Sequence, residues 1–324
     1  MKVSVIVLNW NGKKYLKECL DSLATQTYRE FETILVDNGS TDGSVAYVRE
    51  FYPWARVVLL PENTGFASGN NRGLAECRGQ YIVTLNNDTK VAPEFLAELS
   101  KAAEADSRIG MVAAKMRNYR QPELIDAFGL KIGANGLGYN IGIGETDAGQ
   151  FDDAPAFGPC AGAALYRREM LDEIGFFDPA FFAYYEDFDL AWRGRLAGWL
   201  CVAAPRAVVY HIHSATSGEW SLFKVYQTHR NKWFVIIKNW PSALLTRYLP
   251  GVLLTDAASF CLAVLRGRGL AALRARFDLL RSFRSLLHKR GEVQGKCKLS
   301  NRQVAALFSP HEHLLRTFLR KMGA

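Results

Sequence analysis

The feature that most constrains this chain is the regular alternation of strand-like and helix-like patterns through its first hundred residues. Val3 to Leu8 is a nearly continuous β-branched and aliphatic run. It gives way to a helical pattern over Gly12 to Ala24, with Tyr15, Leu16, Cys19, Leu20 and Leu23 on one side. Strand patterns recur at Glu32 to Val36, Arg56 to Leu60 and Tyr81 to Leu85. Helical ones recur at Asn70 to Cys77 and Pro93 to Ala105. Strand and helix alternating at this spacing predict a parallel, doubly wound sheet. Such sheets bind ligands at the carboxyl ends of their strands. The Tyr81 to Leu85 run ends there in Asn86-Asn87-Asp88, a carboxylate with two amides that suits a hard cation carrying phosphate oxygens. An Asx turn closing the strand would use the same residues.

The chain has 324 residues and 49% hydrophobic content, enough for one large domain or two smaller ones. Its six cysteines are scattered without C-x-x-C spacing, so neither a zinc site nor a disulfide framework is indicated, and a reducing setting fits. The N-terminal apolar run is too short for a signal peptide and reads as a first core strand.

The net charge of +8 belongs to the tail, because residues 266–324 hold fourteen Lys and Arg against three acids. Just upstream, Leu244 to Leu265 is apolar but interrupted by Arg247, Pro250-Gly251 and Asp256. The uninterrupted run therefore falls short of the ~20 residues that span a bilayer. Leu270, Leu273, Phe277, Leu280, Phe283 and Leu287 oppose Arg274, Arg276, Arg281 and Arg284. This pattern predicts helices lying in an anionic membrane interface, with a soluble helical subdomain as the alternative. Aromatic residues do not interleave with the basic ones as base stacking requires, so nucleic acid is not the expected partner.

Between these regions, seven glycines in residues 129–150 predict a hairpin or mobile loop. Phe157 to Tyr166 reads as a tight turn entering a small-residue strand, followed by a helix from Arg168 to Ile174. An aromatic loop, Phe176 to Tyr185, then delivers Glu186, Asp187 and Asp189 to the start of a helix over Leu190 to Ala197, where the macrodipole favours acids. A further carboxylate, Asp37, stands at the tip of the second strand in Val36-Asp37-Asn38-Gly39-Ser40-Thr41-Asp42-Gly43-Ser44. It can accept the imide N–H of uracil or thymine, a donor that adenine lacks. The same segment also serves as a turn with Ser40 or Asp42 as helix cap. Glu62 to Leu74 suits a loop lining a phosphate or base, with Arg72 paired to a diphosphate or bracing the loop against Asp37 or Asp88. It lacks the G-x-x-x-x-G-K-[ST] order of an NTPase, and Asn9-Trp10-Asn11-Gly12 stands where a dinucleotide fold places G-x-G-x-x-G.

Six segments in order are similar to family 2 glycosyltransferases of the GT-A fold: Val5 to Gly12, Val36 to Ser44, Glu62 to Asn71, Leu85 to Asp88, Phe181 to Arg193 and Val209 to Thr216. The resemblance covers about residues 1–240 and is strongest to the bacterial rhamnosyltransferase-like subgroup. It implies an α/β, doubly wound mixed sheet with a nucleotide-binding half over about 1–110 and an acceptor half over about 111–240. A basic amphipathic helical segment, 241–324, follows. It implies inverting sugar transfer from a nucleoside diphosphate sugar, dTDP- or UDP-linked, with dTDP-L-rhamnose the leading donor. The implied acceptor is a polyprenyl-diphosphate-linked sugar at the inner face of the cell membrane, where the protein is cytoplasmic and peripheral; a homodimer is allowed.

Residue by residue, the resemblance puts Asn9, Asn11, Asp37, Asn38, Gly65, Asn70, Arg72 and Asn87 on the nucleotide. A divalent metal, Mg2+ or Mn2+, falls to Asp88 and His211, with His213 the other histidine of that strand end. Asp187 becomes the base that takes the acceptor proton, with Glu186 and Asp189 positioning the acceptor. Ser214-Ala215-Thr216 and His229-Arg230-Asn231-Lys232 close over the diphosphate, and Arg230 and Lys232 offset its charge as it leaves. The family's usual D-x-D is here Asn86-Asn87-Asp88, which removes one carboxylate from the metal site. That reduced motif motivates an alternative, a nucleotide-sugar binding module that has lost catalysis, which the turnover of the unmutated protein and of Asp187→Asn separates from the enzyme.

Overall fold

The β-branched runs become strands of one sheet in the computed structural model, which describes residues 1–212 and 220–309. The order begins β1 (Val3–Asn9), α1 (Lys13–Ala24), β2 (Phe31–Asn38), α2 (Ser44–Phe51), β3 (Arg56–Leu60), α3 (Gly65–Glu76) and β4 (Tyr81–Asn86). It continues with β5 (Thr89–Val91), α4 (Phe95–Glu104), β6 (Ile109–Asn118), β7 (Ile125–Ala127), the hairpin β8 (Leu130–Ile132) and β9 (Gly138–Asn140), β10 (Ala163–Arg167) and α5 (Arg168–Ile174). A 3-10 turn, Pro179–Phe181, leads to α6 (Glu186–Leu196), β11 (Leu200–His211), α7 (Leu222–Asn239), α8 (Ser242–Leu265), α9 (Gly269–Gly295) and α10 (Asn301–Ala305).

The sheet order is β3-β2-β1-β4-β10-β6-β11-β5, with β7 on β6. β3, β2, β1 and β4 are mutually parallel, whereas β10 runs antiparallel between β4 and β6, so the sheet is mixed. The chain leaves β1 toward β2 on one side and returns as β4 on the other, which opens a crevice at the carboxyl ends of these three strands. Register puts Asn9 beside Asp37 and Leu8 beside Asn86 there.

Alternate residues of β1 feed two cores. Val3, Val5 and Val7 pack with Leu16, Leu20, Phe95 and Leu99 on one face, and Ile6 packs with Ala67, Tyr166 and Trp192 on the other. α3 begins at Gly65, five residues before the helix expected at Asn70. Its small residues allow the earlier start: a Cβ on Gly69 would stand 2.5 Å from Leu8 Cδ1, and one on Gly73 2.6 Å from Ile6 Cγ2. Tertiary packing of this kind outweighs the poor helix propensity of glycine.

The expected interruption of the apolar stretch after residue 241 does not occur. α8 is one helix of 24 residues with Pro250 inside it, at the cost of the intrahelical donor for the Thr246 carbonyl. By length and composition it is long and apolar enough to cross a membrane. Its inner side is nevertheless tied to protein, since Asp256 is 9% exposed and bonds Lys232 at 2.7 Å, Arg276 at 2.6 Å and the Trp233 indole at 3.0 Å. Trp240, Val252, Leu286, Val293 and Val304 join the same core as the sheet, so no gap in packing marks residue 241.

Candidate active site

The crevice is floored by a hydrogen-bonded set from three strand tips. Asn9 is fully buried; its Nδ2 donates to Asp37 Oδ2 at 3.0 Å and its Oδ1 accepts from Asn87 Nδ2 at 2.7 Å. One amide thus fixes the β2 and β4 tips relative to β1. Asp37 Oδ1 accepts from Ser40 N at 2.9 Å, while Asn11, at φ +49°, takes the Thr41 N–H on its Oδ1 at 2.8 Å and so joins the two loops. Gly12 has no room for a side chain, because a Cβ would lie 2.0 Å from Asn87 Nδ2.

Asp88 lies where β4 turns into β5, and pairing of β5 with β11 brings His211 opposite Thr89. His211 Nε2 is 3.4 Å from Asp88 Oδ1, and its Nδ1 is 2.6 Å from Asp126 Oδ2 on β7. Burial opposes charge on the ring, yet hydrogen bonds and attraction from Asp126 and Asp88 lift its pKa to about 9. Asp126 escapes sequence reasoning because nothing in Leu124-Ile125-Asp126-Ala127 marks it. Only the pairing of β7 with β6 carries it beside β11. A carboxylate on Nδ1 with Nε2 turned to Asp88 is the arrangement that orients a metal-binding imidazole. Among the described residues, no third His, Cys, Asp or Glu completes a metal cluster. Two protein donors suit a cation that takes its remaining oxygens from a diphosphate and water.

Asp187 stands at the start of α6. Its Oδ1 accepts from Phe188 N at 2.8 Å and its Oδ2 from Ala161 N at 3.4 Å. Ala161 in turn accepts from Thr84 Oγ1 on β4 at 2.7 Å, and a Cβ on Gly162 would lie 3.1 Å from Asn86 Nδ2. This one turn links the α6 acid to the strand tip that carries Asp88. Burial raises the Asp187 pKa to about 6, against the pull of its backbone N–H donors. Glu186 is driven far higher by burial and by Asp187, and its buried Oε2 has no hydrogen-bond partner. The two carboxyls therefore divide by environment, with Asp187 the first of the pair to ionise and Glu186 holding its proton more tightly.

The backbone entering α6 is strained. Phe182, Tyr184 and Tyr185 have φ of +62°, +69° and +70°. Phe182, with ψ −65°, forms a γ-turn of the rare hand in which Ala183 N donates to Phe181 O at 2.7 Å. Each such non-glycine residue costs roughly 1–3 kcal/mol. Gly65, at φ +84°, gives this turn room, since a Cβ there would meet the Phe182 carbonyl at 2.6 Å.

Several expected site residues are otherwise engaged. Asp189 is wholly buried, bonded to Arg193 at 2.8 Å, Lys238 at 2.9 Å and Asn239 at 2.9 Å. It braces α6 against α7, and the acceptor role expected for it is corrected. Lys232, 3% exposed, is held by Asp256 inside the helical layer rather than beside a diphosphate. Arg230 spends its guanidinium on the carbonyls of Ala180 and Phe181, on Gln227 and on Tyr226. The Asn38 amide pins Asn63, Thr64 and Gly65, and Asn70 caps the Phe66 carbonyl of its own helix. Arg72 is exposed on α3, while Asp37 and Asp88 find their partners elsewhere, so the expected brace is absent. His213 and Ser214-Ala215-Thr216 lie outside the described residues.

A mixed sheet with this crevice, two carboxylate-bearing strand tips and an acid on a facing helix define a nucleotide-sugar transferase fold. The glycosyl transferase family 2 model matches residues 4–175, just over half of the chain, and the chain belongs to that family and is a glycosyltransferase. It is 28% identical over 238 residues to the N-acetylglucosaminyl-diphospho-decaprenol L-rhamnosyltransferase of Mycobacterium tuberculosis, covering 66% of this chain and 77% of that protein. Another curated relative is 34% identical over 114 residues, and the chain spans only 16% of its length. Among solved structures, S. aureus TarS 1-349 in complex with UDP-GlcNAc gives a TM-score of 0.59 at 19% identity, covering 91% of this chain and 88% of that one. The mannosyltransferase PcManGT of Pyrobaculum calidifontis, in complex with GDP-Man and Mn2+, gives 0.55 at 19% identity, covering 91% and 85%. At that identity the two structures bear on the fold alone.

Proposed function

We propose that the chain is an inverting glycosyltransferase that moves a sugar, L-rhamnose from a dTDP-linked donor, onto a polyprenyl-diphosphate-linked acceptor, with Asp187 as base. The observation that carries this reading is the junction of the Asp187 carboxylate to the Asn86–Asp88 tip through Ala161 and Gly162. It sets a group of suitable pKa beside the ligand crevice. The choice of sugar and acceptor is motivated by the mycobacterial relative, whose name states both.

In this reading Asp37 receives the imide N–H of the base, and Asn9 holds Asp37 and Asn87 in place. Asp88 and His211, the latter aimed by Asp126, would hold a divalent cation. When bound, that cation would neutralise charge on the departing diphosphate. Asp187 takes the acceptor hydroxyl proton as the oxygen attacks the anomeric carbon from the face opposite the nucleotide. Glu186, which burial and Asp187 favour in its protonated form, donates a hydrogen bond to an acceptor hydroxyl.

The membrane side of the proposal rests on α8 and α9. Leu265 and Leu270 are each 83% exposed and Leu280 71%, and Phe277 and Leu287 continue the row with Arg274, Arg281 and Arg284 beside it. A row of this length on a basic helix suits an anionic bilayer at the cytoplasmic face.

The test is turnover of a nucleotide-sugar panel by the whole chain with a polyprenyl-diphosphate-GlcNAc acceptor, with Mn2+, with Mg2+ and with EDTA. Expected is transfer from dTDP-L-rhamnose, abolished by EDTA and by Asp187→Asn. Transfer that Asp187→Asn leaves intact would remove the base, and transfer unaffected by EDTA would remove the metal. A different preferred sugar would remove the rhamnose assignment alone.

A further inference from the structure

The strained turn that delivers Asp187 is gripped from one side by a single fully buried amide. Asn231, on α7, directs its Nδ2 to the carbonyls of Phe181 at 2.8 Å, Ala183 at 2.9 Å and Tyr184 at 2.7 Å. These are the carbonyls flanking the residues held at positive φ, Phe182, Tyr184 and Tyr185. No other side chain in the described residues donates to three of them. Seven residues on, and so on the same face of α7, Lys238 bonds Asp178 at 2.7 Å and Asp189 at 2.9 Å, one before the turn and one beyond Asp187. Phe234 fills the space between, edge-on to Phe181 with ring centroids 5.8 Å apart. One helix face thus holds the segment at its middle and at both ends.

Among the described residues, the two donors of the Asn231 amide have no other acceptor except Gln227 at 3.5 Å. A buried asparagine that merely filled space would be replaceable by an apolar residue of the same size. Here, removing the amide takes the donor from the Ala183 and Tyr184 carbonyls and leaves Phe181 to Ala183 N and Arg230, in a backbone conformation that relaxes readily when unsupported.

We propose that Asn231 is a positioning residue for the sugar-transfer step: it fixes the Phe182–Tyr185 turn so that the Asp187 carboxylate meets the Ala161 and Phe188 N–H groups and faces the acceptor. This rests on the reading of Asp187 as base. Asn231 touches no substrate; it acts through the turn.

The variants are Asn231→Asp, which keeps the size and loses both donors, and Asn231→Gln, which keeps the donors one methylene out of place. Three measurements separate positioning from plain stability. They are hydrogen exchange of the amides in residues 180–189, kcat against KM for the nucleotide sugar that the unaltered protein turns over best, and the pH dependence of kcat. Expected for Asn231→Asp is faster exchange confined to residues 180–189 and kcat lower by ten- to a hundredfold. Donor KM stays within twofold, and the acid limb moves to higher pH as Asp187 loses its N–H donors. Asn231→Gln recovers part of kcat. Unchanged exchange in that segment, or faster exchange with kcat intact, overturns the proposal, as does a loss of kcat that only follows a global loss of folded protein. Should Asn231→Asp not fold, Asn231→Gln carries the same test, with kcat lowered at an unmoved melting temperature expected and full kcat overturning it. Asp187→Asn is run beside them. If it keeps full turnover while Asn231→Asp loses it, Asp187 is not the base; the clamp then stands and acts on another group.

Discussion

Replacing Asp187 by Asn tests both the catalytic assignment and the electrostatics behind it. With its pKa raised to about 6 by burial, the carboxyl is about nine-tenths ionised at pH 7 and about one-tenth at pH 5. A base active only when ionised then gives a kcat that falls about tenfold over that interval. Asp187→Asn removes the base and should lower kcat by roughly 10²–10⁴, leaving a residual rate without the acid limb. Stability runs the other way. The folded state raises this pKa above its unfolded value, so ionising Asp187 destabilises the fold at neutral pH, and the penalty disappears as pH falls through 6 toward 4. Asp187→Asn should therefore be more stable than the unaltered protein at pH 7.5, by about 3 kcal/mol, and melt at about the same temperature at pH 4. Glu186→Gln should leave an acid limb in place, because burial and the neighbouring Asp187 push the Glu186 pKa up and make Asp187 the first of the pair to ionise. The assays are initial rates in overlapping buffers from pH 5 to 8.5 and thermal melts at both pH values. An acid limb that survives in Asp187→Asn, or one that vanishes in Glu186→Gln, refutes this division of the pair.

Other outcomes follow from the same geometry. Gly12→Ala should drive Asn87 off Asn9 and raise donor KM about tenfold with little change in melting, read from substrate saturation curves. Asp126→Asn should weaken Mn2+ binding about 10–100-fold by releasing the His211 ring, measured by calorimetry with Mn2+ alone. Replacing Leu273, Phe277 and Leu280 together by Asn should abolish flotation with phosphatidylglycerol vesicles while leaving the melting temperature in place, since all three are exposed. Asp256→Asn should cost about 3 kcal/mol in denaturant unfolding, because Lys232 keeps a buried charge without its counter-ion.

The N-terminal half of the sheet was legible because its signals are local. The alternation along β1, β2 and β4 and the polar residues closing each strand can all be read within about ten residues. α2 passed without notice, being only eight residues with two of them buried. The roles assigned to Asp189, Arg230 and Lys232 failed for a shared reason: charge beside a motif resembles charge aimed at a ligand until the partners are known. Those partners, Lys238, the Ala180 carbonyl and Asp256, come from 24 to 50 residues away. Asp126 and the contact of Asn231 with the Phe181–Tyr184 carbonyls are illegible for the same cause, one brought in by strand pairing and the other by helix packing. Pro250 was read as a break, but a helix supported along one side tolerates a missing hydrogen bond that an isolated one does not.

The ionic knot around Asp256 bears on how such a chain could change over generations. A truncation near residue 241 would discard the counter-ion of Lys232 and the neighbours of Trp240 in the same stroke, so the shortened product would expose part of its core and not merely lose an appendage. Trimming is closed to it as an evolutionary route, and so is exchanging the rear helices for those of a distant cousin. What remains open to the fold is drift on the outward side of α8 and α9, where Leu254, Leu265, Leu270 and Leu280 stand exposed. The sugar-handling front and whatever surface that back settles on are inherited as one piece, with only the outer coat free to be retailored.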